Sequence, residues 1–104
     1  MSGTTPSKQL ADAATALEAA LKAVEEAGLD PMPLLGALRG PLEMIDGAAT
    51  RMREMRREGV VAAYPDRSHA VWQIAEASGL SPALVTRYAS DAGLEKRNRR
   101  NENA

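Results

Sequence analysis

The stretch Val71-Trp72-Gln73-Ile74-Ala75-Glu76-Ala77-Ser78-Gly79-Leu80-Ser81-Pro82-Ala83-Leu84-Val85-Thr86-Arg87-Tyr88-Ala89-Ser90 decides how this chain is organised. Its apolar residues recur at helical spacing on both sides of a sharp break. Ile74, Ala75 and Ser78 share one side of a first helix, and Leu84, Val85 and Tyr88 share one side of a second. Gly79 suits the left-handed conformation that ends a helix, and Leu80 suits the hydrophobic contact that accompanies such an ending. Ser81 is a good N-cap, and Pro82 fits the first helical position, where a missing N–H costs nothing.

Working towards the N-terminus, Ser68 is the expected N-cap of a helix over 69–78. Val60, Val61 and Tyr64 are expected to anchor the connection before it, with Pro65-Asp66-Arg67-Ser68 as a turn. Upstream, the pattern predicts a helix over 42–58 that presents Met44 or Ile45, Ala48, Ala49, Met52 and Met55 on one side and ends at Gly59. Arg51, Arg53, Arg56 and Arg57 fall in its last turns, where cations complement the helix dipole and Glu54 and Glu58 can pair with them. Gly40-Pro41 is expected to break the chain, leaving a short helix over 31–39. Gly28-Leu29-Asp30-Pro31 stops one helix and starts the next.

Residues 7–27 are rich in good helix formers. Leu10, Ala14, Leu17, Leu21 and Val24 step by four, three, four and three, a seam that suits packing within the chain or pairing with a second copy. The fold class expected is therefore all-α with about five helices. An N-terminal helical assembly segment over 1–60 precedes a two-helix unit over 61–94 and a basic polar tail over 95–104.

The stretch at 71–90 resembles the helix-turn-helix of DNA-binding regulators. Ala75 is the small residue four before the turn glycine Gly79, and Leu80 is the buried turn residue after it. Val85 is the β-branched core position six after the glycine, and Tyr88 fills the last inward position. Val71 stands where many members carry glutamine, and Tyr88 replaces a common aliphatic. The resemblance covers about a fifth of the chain and implies a DNA-binding module rather than a named family. It also implies an outward, base-reading set on the second helix: Ser81, Pro82, Ala83, Thr86, Arg87 and Ser90. Arg87 leads that set because a guanidinium bonds bidentately to guanine. Gln73, Arg67, Arg51, Arg53, Lys96 and Arg97 are candidates for phosphate contacts. Such regulators commonly dimerise, and Leu10, Leu17, Leu21 and Val24 are the candidate dimer contacts. Trp72 is expected to anchor the core.

Charge is divided unevenly. The chain carries a formal net charge of −1, yet residues 1–50 hold three basic and seven acidic side chains, and residues 51–104 hold ten and seven. The positive half contains the resembling stretch, where phosphate contact is plausible. There is no cysteine, which excludes a disulfide framework and a thiolate metal site. The sequence carries no phosphate-binding glycine loop and no metal-ligand spacing. Its one histidine, His69, follows Ser68 directly, and adjacent helical residues do not face each other. Neither an enzyme nor a cofactor is expected. With no signal-peptide pattern and no long apolar run, a cytoplasmic protein with no membrane partner is expected. The partners expected are double-stranded DNA and a second copy of the chain. Two other readings stay open: a helical protein–protein adaptor, or a DNA-binding factor serving partition or packaging.

Overall fold

The computed structural model describes residues 5–95. Among the described residues there are four α-helices and no strand. They are α1 (Pro6–Ala27), α2 (Pro31–Ala63), α3 (Val71–Ser78) and α4 (Pro82–Asp91). The chain divides into two units, Met1–Glu43 and Met44–Ala104, with the boundary inside α2. The break expected after residue 60 also falls within that helix.

Local chemistry accounts for the helix ends. Thr5 caps α1, its Oγ1 accepting the Lys8 N–H at 3.1 Å, and Pro6 takes the first helical position. Gly28 closes α1 in the left-handed region at φ 59°. Lys8 and Asp12, one turn apart, form an exposed ion pair at 2.9 Å.

The five helices expected are four. Gly40-Pro41 does not break the chain, because α2 runs through Pro41 without interruption. A proline inside a helix removes one N–H and crowds the carbonyl four residues back, here that of Ala37. The good helix formers on both sides, Ala37, Leu38 and Arg39 before it and Leu42, Glu43 and Met44 after it, carry the helix past that local loss. Gly59 does not end the helix either, which continues one further turn to Ala63. Arg56 and Arg57 consequently lie inside α2 and not at its C-terminal end.

In the second unit the end of α2, α3 and α4 share one core. Val60, Tyr64, Ile74, Ala75, Val85 and Ala89 are buried, with Ala63, Val71, Leu80, Tyr88 and Leu94 packed at its edge. Val85 is fully enclosed at 0% exposure, and burying a valine side chain stabilises by about 1.5–3 kcal/mol. In the first unit none of the described residues is buried. Val24, Leu34 and Leu38 are half-covered and the remainder exposed.

Candidate functional site: the α3–turn–α4 surface

The connection into α3 is built by Asp66 and Gln73. Asp66 Oδ1 accepts the Ser68 N–H at 2.9 Å, and the Asp66 carbonyl accepts from His69 at 3.1 Å. Ser68 is thereby held in the turn, and the N-cap it was expected to provide falls to Ala70. Alanine has no side-chain acceptor. Gln73 supplies the missing polar group from inside the helix, its Oε1 accepting the Ala70 N–H at 2.7 Å. That arrangement is half of a capping box. It occupies the oxygen of a side chain expected to meet phosphate and leaves its NH₂ group to donate.

Gly79 ends α3 at φ 73°, with its own N–H and that of Leu80 both directed to the Ala75 carbonyl. The Ser78 hydroxyl donates to the same carbonyl at 3.2 Å. Ser81 then caps α4, Oγ accepting the Leu84 N–H at 3.1 Å, and Pro82 opens the helix. A bend of three residues thus meets the Ala75 carbonyl at the end of α3 and the Leu84 and Val85 N–H groups at the start of α4. The two helices pack on each other with Ala75 and Val85 buried between them. Ala89 is buried as well at 1% exposure, whereas Leu84 and Tyr88 are only half-buried. The inward face of α4 is therefore centred on Val85 and Ala89, one turn apart, and is rotated from the expected Leu84–Val85–Tyr88 face. Gly93, at φ 84°, returns the chain so that the Leu94 N–H reaches the Ala89 carbonyl at 2.9 Å.

Ser81, Pro82, Ala83, Arg87 and Ser90 are all exposed, and Thr86 is half-buried. They lie along α4 and its cap. Arg51, Arg53 and Arg67 are exposed. Lys96 and Arg97 lie outside the described residues. Leu10, Leu17 and Leu21 are exposed and Val24 is half-buried. The expected pairing of Glu54 and Glu58 with the arginines of α2 is absent among the described residues.

Trp72 does not anchor the core. It is 61% exposed, one position removed from the inward side that Ile74 and Ala75 define. Sequence reasoning also missed the partners of Arg57, which stays on the exposed face expected for it. Its guanidinium lies 5.1 Å from the centre of the Tyr88 ring and 4.0 Å from Asp91 Oδ2. A cation–π contact at an exposed site contributes about 0.5–1 kcal/mol, and an exposed ion pair about as much or less. Together they tie α2 to the outer edge of α4. Only the spacing of Tyr88 and Asp91 on one helix edge hinted at such a partner.

Among the described residues no group of histidine or carboxylate side chains could hold a metal ion. No helix there is long and apolar enough to cross a membrane. Comparison with protein-family models, curated proteins and solved structures returned no match.

Proposed function

We propose that the chain is a dimeric, sequence-specific DNA-binding regulator. In this reading α3 and α4 act as a helix-turn-helix, with α4 in the major groove. The observation that carries it is the surface of α4 opposite Val85 and Ala89. It offers a cationic side chain, Arg87, between small polar and methyl groups at Ala83 and Ser90. Among the described residues Arg87 has no carboxylate within ion-pair distance. A guanidinium on a rigid, capped helix with small neighbours is free to meet a guanine edge, and Ala83 suits a thymine methyl. Arg51, Arg53 and Arg67 supply positioning contacts to phosphates, as does the NH₂ group of Gln73. Lys96 and Arg97 extend the basic set. The exposed seam Leu10–Leu17–Leu21, with half-buried Val24, supports pairing with a second copy, which would set two reading helices about 34 Å apart.

The test is binding to duplex DNA fragments across a range of salt concentrations. Log affinity is expected to fall linearly with log salt as phosphate contacts release counterions. Arg87→Ala is expected to lose about 1–3 kcal/mol of discrimination at one base pair while leaving the salt slope nearly unchanged. Absence of binding at low salt overturns the reading. It would favour the adaptor, for which the exposed apolar residues of α1 are the specific support.

A further inference from the structure

Behind the reading surface, the last turns of α2 and the body of α3 enclose an open cleft of about 390 Å³. Val60 and Ile74 form its apolar floor, Gly59 and Ala77 stand in its walls, and Arg56 and His69 border it. The volume falls in the range of small-molecule sites.

Two features bear on what this cleft suits. Glycine in a helix interior is destabilising, and a Cβ added at Gly59 would meet nothing within 4 Å, as at Gly36, Gly40 and Gly47 of the same helix. Among the described residues no side chain packs there and requires the glycine. Its lack of a side chain keeps the wall of the cleft open. The second feature is charge. Asp66 already faces His69 at 3.5 Å, but no carboxylate among the described residues lies within ion-pair distance of Arg56. An apolar floor bordered by an uncompensated guanidinium complements a molecule with an apolar body and one anionic head.

We propose that this cleft binds a small amphipathic monoanion, an aliphatic or aryl carboxylate, with its carboxylate on Arg56 and its apolar body over Val60 and Ile74. The site goes beyond DNA reading and is tested separately from it. Octanoate and 1-octanol are suitable probes, titrated into the full-length protein while backbone amide resonances are followed. Octanoate is expected to shift the amides of Gly59, Val60, Ile74 and Ala77 saturably. Arg56→Gln is expected to weaken octanoate about tenfold and to leave octanol within about twofold, as loss of one charge-assisted contact requires. Gly59→Leu is expected to abolish both while the protein still melts cooperatively. Arg56 is exposed, so its substitution remains informative even if the leucine variant does not fold. Shifts confined to the exposed leucines of α1 and α2, or octanoate binding that ignores Arg56→Gln, would overturn the proposal. Absence of any shift at the four cleft amides would do so equally.

Discussion

Gly79 and Gly59 show how one residue type serves opposite purposes. Gly79 sits at φ 73°, where an L-residue brings its Cβ against the following carbonyl oxygen. Gly59 is in an ordinary helical conformation with open space where a Cβ would stand. The same replacement should therefore have opposite signs. Gly79→Ala is expected to destabilise by about 1 kcal/mol, lowering the melting temperature by about 4–8 °C. Gly59→Ala is expected to stabilise by about 0.5–1 kcal/mol, because it removes backbone freedom from the unfolded chain and strains nothing in the folded one. Thermal melts of the two variants beside the parent protein check both. A stabilised Gly79→Ala would mean that the turn does not need its left-handed residue. Arg87 gains its position from this local chemistry. Gly79 stops one helix, Ser81 starts the next, and the guanidinium projects from the face opposite Val85.

The helices show which signals in the sequence decide and which are overridden. Capping chemistry was legible because it acts over three or four residues: Gly28, Gly79, Ser81 and Pro82 each take the role their types suggest. Punctuation inside α2 was misleading for a different reason. Pro41 and Gly59 weaken a helix locally, but whether they end it depends on the residues around them, and those favour continuation. Asp66 and Gln73 displaced Ser68 by offering the same backbone groups better-placed acceptors. Periodicity placed Val85 correctly and turned the face of α4 slightly, because alanine carries little hydrophobic signal and Ala89 was passed over. Trp72 shows the converse: an aromatic residue reads as core by type, although its position on α3 faces solvent. The candidate reading residues other than Thr86 were legible as exposed, since they follow from the helix register alone. The tolerance of α2 for its proline is measurable. Pro41→Ala restores the N–H that bonds to the Ala37 carbonyl, and the local helix should gain up to about 3 kcal/mol. Amide exchange over 38–45 is expected to slow accordingly. Unchanged exchange would show that the helix opens there for reasons unrelated to the proline.

Taken as a whole, the chain has a buried core in only one of its two units. Residues 44–95 gather six buried side chains, and residues 5–43 gather none. Helices in water draw most of their stability from burying an apolar face, and none of the 22 residues of α1 is buried among the described residues. The seam repeats at the spacing that two helices use to pair. It is also apolar enough to matter, since Leu10 is 58% exposed, Leu17 37% and Leu21 41%. In the proposed dimer a second copy would cover this seam and double the DNA contacts, which one small module alone supplies only modestly. Leu17→Glu combined with Leu21→Glu places two charges in that seam. The double variant is expected to sediment as a monomer where the parent sediments as a dimer. Its α3–α4 unit should still fold, because none of the core residues Val60, Tyr64, Ile74, Ala75, Val85 and Ala89 is touched. Affinity for a two-fold DNA site should drop, and the slope of log affinity against log salt should fall to about half, as one half-site's phosphate contacts are lost. Each possible outcome points somewhere definite. A parent that is monomeric at high concentration removes the dimer from the proposal. A monomeric variant with an unchanged salt slope means that each chain reads DNA alone, and the seam of α1 then serves a different protein.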